Sequence, residues 1–489
     1  MPLRRALPLL LALAVLAFPP GPASAGGYLK LSPGGVIYRW DNSSMLPRDL
    51  DGGPLGTLSE AEAQALVEDA SSGWASPPTL ERDVVTTSTG TLTGQGGDGD
   101  VDTFSEFQTL VGQLVAGSTT IQNAIVFDHD GAVIEAHFGV GSGSGILGFA
   151  LILGADDSSF HLTHTVQVYN GECVENPSCG EDEISEEELI ETIVHEQGHV
   201  LNLDHVQVNG HWFFGDTNDP GFQEYGDPPQ GDGAVNLMFP FVLASSEYAA
   251  EIGHDELTAA EHLYGNDTSS ATGVISGTVY RSDGVTPLQG VNLIARNTAD
   301  PFYDATSSVS GYRFPTSPLT GGTPQDEQPA CPSTTPPELH GDYDLRGLTP
   351  GQSYTVEAVA VNAGFICGSS VGPLQRPVGF PQEEFYSTPE SSKDSISPEN
   401  LTTILVPPPP SPVVSGIDLV QSCRSGNRTV SAGTIGGEAY FDACDTLTVA
   451  SGVVISGSGN AVFAADRVVL SSGFRVASGG RLVVRPLSQ

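Results

Sequence analysis

Apolar positions Ala63, Leu66, Val67, Ala70 and Trp74 recur at helical spacing, three or four apart. Ser59 stands just ahead of them with Glu62 three residues on, so the pattern predicts a helix opened by a capping box. The same signal returns at Ser185 and Glu188. There Glu186 and Glu187 favour the positive end of a helix, and Leu189, Ile190, Ile193 and Val194 form its apolar face. A shorter helix is predicted near Leu257–Tyr264, and Val36–Trp40 reads as a strand.

From Ala271 the character of the pattern changes. Short β-like runs, Val274–Tyr280, Val291–Arg296 and Tyr354–Val361, are separated by Gly, Pro and Asp turns, with a long Ser/Thr/Pro-rich loop over 315–338. That spacing predicts a small β-sandwich over 271–405. Residues 406–416 contain Pro407-Pro-Pro-Pro-Ser-Pro412 and read as a stiff extended linker. Beyond it, 417–489 repeat short strands and glycines (Leu447-Thr-Val, Val453-Val-Ile, Val468-Val-Leu, Leu482-Val-Val), which predicts a small stacked β module.

Composition adds constraints. The chain has 489 residues, 39% of them hydrophobic, enough for several ordinary cores. Fifty-nine acidic against 18 basic residues give a net charge of −41, a field that repels nucleic acid and anionic membrane surfaces. At the start, Arg4 and Arg5 precede an apolar run from Ala6 to Phe18 and the small-residue triplet Ala23-Ser24-Ala25. This predicts a signal peptide over 1–25 and an exported protein, since thirteen apolar residues are too few to span a bilayer. The six cysteines fit an oxidising compartment. They group by region as Cys173 with Cys179, Cys331 with Cys367 and Cys423 with Cys444, so three local disulfides are expected among the 15 possible connectivities.

The chemistry is concentrated in His195-Glu-Gln-Gly-His199-Val-Leu-Asn202-Leu-Asp-His205. Residues four apart share one helix face, so His195 and His199 can offer imidazole nitrogens to one ion. Glu196, one residue along, is placed to reach a metal-associated water rather than the metal. His205 cannot stay on that face, so the chain must turn, and Asn202 sits where a left-handed residue is needed. Three imidazoles leave one tetrahedral position open, which marks a catalytic rather than a structural zinc site.

This pattern resembles the metzincin motif, with Asn202 in the usual glycine position. Val235-Asn-Leu-Met238-Phe-Pro240 resembles the methionine turn of matrixins, and Asp255–Gly265 resembles their closing helix. The resemblance covers about 27–267. It implies an α+β fold, a metzincin-type zinc peptidase domain with a mixed sheet and an active-site helix over 26–267, followed by C-terminal all-β modules. It implies His195, His199 and His205 as zinc ligands, Glu196 as the catalytic base and Met238 packed beneath the histidines. The sequence departs from the matrixin pattern in two expected respects: it shows no cysteine-switch motif and, after Ala25, no room for a matrixin pro-segment. The His137 region lies near where matrixins run the edge strand that pairs with substrate. Asp128 and Asp130 in the loop Phe127–Gly131, like the acidic cluster at Asp98, Asp100 and Asp102, are candidate calcium ligands, with a plain solvated turn the equal alternative. Gly277-Thr-Val-Tyr, Gly290-Val-Asn-Leu and Tyr343-Asp-Leu-Arg-Gly-Leu-Thr-Pro-Gly resemble a carboxypeptidase regulatory-like, transthyretin-like sandwich.

The expected function is therefore that of a secreted zinc endopeptidase acting on proteins or peptides, with C-terminal modules able to bind a surface or polymer. The rival expectation is a surface-binding or adhesion protein whose protease-like domain has little or no activity.

Overall fold

The computed structural model describes residues 28–30, 32, 36–41, 46–75, 90–92, 99–139, 142–143, 145–210, 212, 220–226, 234–242, 252–265, 272–311, 341–361, 383–393 and 401–487. The expected signal peptide, Cys331, Cys367, Asp98 and the 315–338 loop lie outside them. The chain is a mixed α and β protein with several sheets and few helices. No helix among the described residues is long and apolar enough to cross a membrane.

The first sheet comprises β1 (Asp49–Leu50), β2 (Gly90–Thr91), β3 (Asn123–Asp128), β4 (Gly148–Asp156) and β5 (His161–Asn170) in the order β2-β1-β3-β5-β4. All pairings are parallel except β4 with β5, which is antiparallel. Every residue of β3 is buried, the mark of a strand covered on both faces. Its side chains alternate accordingly. Ile125 and Phe127 join one core with α1 (Glu60–Ala75), whereas Ala124 and Val126 join a second core with α2 (Phe104–Val115) and α3 (Ala132–Phe138).

The expected helices form. In α1, the apolar stripe Ala63, Val67, Ala70 and Trp74 is buried against α4 (Glu186–Val200), and Ser59 donates from its amide and hydroxyl to Glu62. Two short helices follow, α5 (Pro220–Tyr225) and α6 (His254–Tyr264). Val36–Trp40 is not a regular strand; Ile37 and Arg39 make isolated bridges, Arg39 pairing parallel with His161. Helices α2 and α3 were not anticipated, although Thr103 and Glu106 form a complete capping box ahead of the buried Phe107, Leu110 and Leu114.

The sandwich is built from two sheets. One holds β7 (Asn292–Asn297), β8 (Asp300–Val309), β10 (Ser353–Val359), β11 (Glu384–Phe385) and β12 (Ile404–Leu405), ordered β11-β10-β7-β8 with β12 against β10. The other centres on β6 (Gly273–Tyr280), flanked by β9 (Asp342–Leu348), β13 (Val413–Ser415) and β14 (Leu419–Val420). The segment expected as a linker therefore contributes a strand, β13, which pairs parallel with Val274–Ser276, and β14 pairs with the end of the same strand. A proline-rich run is already extended, and at a sheet edge its missing amide donors go unneeded on the outer side.

The last part consists of β15 (Arg428–Val430), β16 (Gly433–Ile435), β17 (Glu438–Val449), β18 (Val453–Ile455), β19 (Asn460–Leu470), β20 (Arg475–Val476) and β21 (Arg481–Arg485). Odd-numbered strands form one parallel sheet and even-numbered strands another, so the chain visits the two alternately. Glu438 faces Asn460 and Asn460 faces Arg481, an advance of 22 and then 21 residues per coil. This is a stacked parallel β-solenoid around Leu447, Val449, Ile455 and Phe463. Disulfides join Cys173 to Cys179 and Cys423 to Cys444.

Candidate metal centre

Helix α4 begins in a reciprocal cap: the Ser185 hydroxyl accepts from the Glu188 amide at 3.2 Å, and the Glu188 carboxylate accepts from the Ser185 amide at 2.8 Å. It ends in a Schellman turn. The amide of Leu203 donates to Gly198 O at 3.0 Å and that of Asn202 to His199 O at 2.8 Å, while Asn202 takes φ +73°. The Asn202 side chain also stitches the turn to the N-terminal segment. Its carboxamide oxygen accepts from Lys30 N at 2.7 Å, and its amide nitrogen donates to Lys30 O at 3.0 Å and Tyr38 O at 2.7 Å.

That turn carries His205 back to the helix face. Nε2 of His205 stands 3.1 Å from Nε2 of His195 and 3.0 Å from Nε2 of His199. Tetrahedral zinc with Zn–N bonds of about 2.0–2.1 Å would set such nitrogens roughly 3.3–3.4 Å apart. The fourth position would face a cleft.

The opposite ring nitrogens fix the tautomers. His195 Nδ1 donates to Leu237 O at 2.7 Å and His199 Nδ1 donates to Leu203 O at 2.8 Å, because a carbonyl can only accept. Both Nε2 atoms therefore present lone pairs towards His205. Protons are poor partners for them: burial pushes His195 down to about 4, and burial with the neighbouring His195 pushes His199 down to about 3. A cation satisfies all three nitrogens at once, so this donor set fits zinc. Among the described residues, these histidines are the one group of three or more His, Cys, Asp or Glu side chains close enough together to hold an ion.

Met238 is fully buried and packs against α4 at Gly198. A Cβ placed on Gly198 would lie within 2.3 Å of Met238 Sδ, so helix and turn are in direct contact only because position 198 is glycine. The turn is held from behind: Met238 N donates to Glu256 of α6 at 2.8 Å, and Met238 O accepts from Val206 N at 2.9 Å.

The three histidines and Glu196 line a cleft of about 330 Å3. Its apolar walls come from Ile146–Leu151, including the start of β4, and from Phe239–Val242 just after Met238. Strand β4 is the terminal strand of its sheet among the described residues, and its first residues, Gly148–Leu151, line the cleft. Glu196 is 5% exposed.

Other residues singled out from the sequence lie away from the three histidines. His137 lies on α3, not on the edge strand, and stacks on Phe149 at 5.2 Å. Asp128 is buried, and its two carboxylate oxygens accept from Val133 N at 3.0 Å and Ile134 N at 2.8 Å, while Asp130 accepts from Ala132 N. These carboxylates serve the first turn of α3, and the described residues around them assemble no acidic cage. The sequence reading missed Phe239 and Phe241 as cleft walls and Glu256 as the anchor of Met238; an acid inside the otherwise apolar face of the closing helix was the available signal.

Compared with protein-family models, curated proteins and solved structures, the chain matches none.

Proposed function

We propose that this chain is an exported zinc-dependent endopeptidase of metzincin type, with Glu196 as its general base. The observation that carries the reading is the convergence of three imidazole Nε2 atoms at the floor of a cleft beside a buried glutamate. A zinc ion bound there supplies Lewis-acid polarisation of a carbonyl and lowers the pKa of water at neutral pH.

The remaining work belongs to the chain. His195, His199 and His205 hold their Nε2 atoms in position, and backbone carbonyls rather than mobile side chains orient His195 and His199. The carboxylate of Glu196 takes a proton from water and returns it to the departing amine. The open edge of β4 can pair with an extended peptide through main-chain hydrogen bonds, and the apolar walls supplied by Leu151 and Phe239–Val242 would receive a hydrophobic side chain. The two disulfides and the predicted leader support an oxidising destination.

The test is digestion of an unfolded protein by residues 26–489, run beside Glu196→Ala. Cleavage by the unaltered chain alone supports the mechanism. Equal cleavage by both sinks the role of Glu196, and no cleavage by a zinc-loaded chain on a broad peptide library sinks the peptidase reading.

A further inference from the structure

The segment that follows His205 does not run free over the surface. Two residues on, Gln207 donates its side-chain amide to Ala360 O at 2.9 Å, just past β10 of the sandwich. Val208 is fully buried in a small apolar cluster with Ile294, Ala305 and Val359, all sandwich residues. Asn209 takes φ +63°; its side-chain amide donates to Ala234 O at 2.7 Å and Phe302 O at 3.0 Å, and its carboxamide oxygen accepts from Arg296. Arg296 is itself fully buried, donates to Glu357 at 2.7 Å and lies over the Trp212 ring at 4.6 Å.

A second tie approaches from the other side. Asp255 of α6 accepts from Thr306 Oγ1 at 3.1 Å and from the amide and hydroxyl of Ser307 at 2.7 and 2.8 Å, all on β8. The adjacent Glu256 holds Met238 N. Both stretches that set the third histidine and the methionine turn are thus fastened to one sheet of the sandwich.

From this geometry we infer that the β-sandwich is a structural part of the metal centre. It fixes the backbone after His205, and Arg296 is a positioning residue that acts on the metal through Asn209 and that backbone. A bare accessory module would need no buried Arg–Glu pair aimed at a loop four residues from a ligand. Burying such a pair costs desolvation, and it holds geometry better than it adds stability. The inference rests on the reading of the three histidines as one metal site.

The experiment measures Zn2+ affinity of the full chain by competition with a chromophoric chelator, and the visible spectrum of its Co2+ form. The variants are Arg296→Met/Glu357→Met, which removes both charges together, and Asn209→Gly, which keeps the positive φ and removes the contact to Arg296. The expected result is Zn2+ binding weakened about tenfold or more, with an altered Co2+ spectrum, in a chain whose melting still shows a folded sandwich. In a His205→Ala background the same changes should cause no further loss, because their path to the metal is gone. Affinity and spectrum unchanged in both variants would overturn the inference, as would an equal further loss in the His205→Ala background. Should the double variant not fold, Asn209→Gly alone decides. No Zn2+ uptake by the unaltered chain overturns the metal reading and this inference with it, whereas uptake with indifferent variants overturns this inference alone.

Discussion

The imidazole Nδ1 of His195 stands 2.7 Å from the carbonyl oxygen of Leu237, so the first histidine of the triad is aimed by the residue just before Met238. The turn thus supports the histidine triad, and its distance from α4 matters. We predict that Gly198→Ala, which would drive a methyl into Met238 Sδ and Trp74, destabilises the chain by about 1–3 kcal/mol through overpacking. Met238→Ala should cost about 2–5 kcal/mol and Met238→Leu much less. Denaturant unfolding of the three variants checks the order; a Gly198→Ala protein as stable as the unaltered chain would show that the contact relaxes freely.

Replacing Glu196 by Gln preserves shape and removes the proposed base. Zn2+ stoichiometry should stay at that of the unaltered chain while turnover falls by roughly 10^2–10^4. Metal analysis and peptide cleavage on one preparation separate the two readouts, and loss of zinc in this variant would mean that Glu196 supports the site rather than moving a proton.

Asn202 combines a positive φ with three side-chain hydrogen bonds to Lys30 and Tyr38. Asn202→Gly keeps the backbone and loses the bonds, at a cost of about 1–3 kcal/mol. Asn202→Ala loses the bonds and adds left-handed strain of about 1–2 kcal/mol. Thermal unfolding should rank Asn above Gly above Ala, and Ala equal to or better than Gly would contradict the strain.

Burial, helped by the charge of Glu188, pushes Glu191 up to about 8. Its unfolded-state value lies near the usual 4.5. The folded chain therefore holds this proton more tightly, and the stabilisation is full below about pH 4.5 and is lost as the pH rises through 8. Glu191→Gln should match the unaltered chain at pH 4 and melt higher at pH 9. Parallel melting curves across that range, with a constant gap, would rule out titration at this position.

The site was more legible in the sequence than the fold around it. Local signals sufficed for α4: a serine cap, a 3.6-residue apolar face and a histidine pair four apart are all short-range. The turn at Asn202 followed from the need to bring His205 back. The hidden features depend on contacts between distant residues. Periodicity gave no sign that 413–415 pairs with 274–276, because a proline-rich run looks the same whether solvated or laid on a sheet edge. Phe239 and Phe241 line the cleft only because the turn at Met238 packs back against α4, a contact between distant residues. Helix α2 was legible and missed, for Thr103 and Glu106 print the same cap that marked α4.

The tie between Gln207 and Ala360 spans 153 residues, and that between Asn209 and Arg296 spans 87. A chain made from its N-terminus presents all three histidines well before the strands that receive the loop behind the third. Contacts so distant in sequence form late in folding. On the inference above, the order of synthesis leaves the backbone behind His205 without its supports until the strands carrying Arg296 and Ala360 have been made.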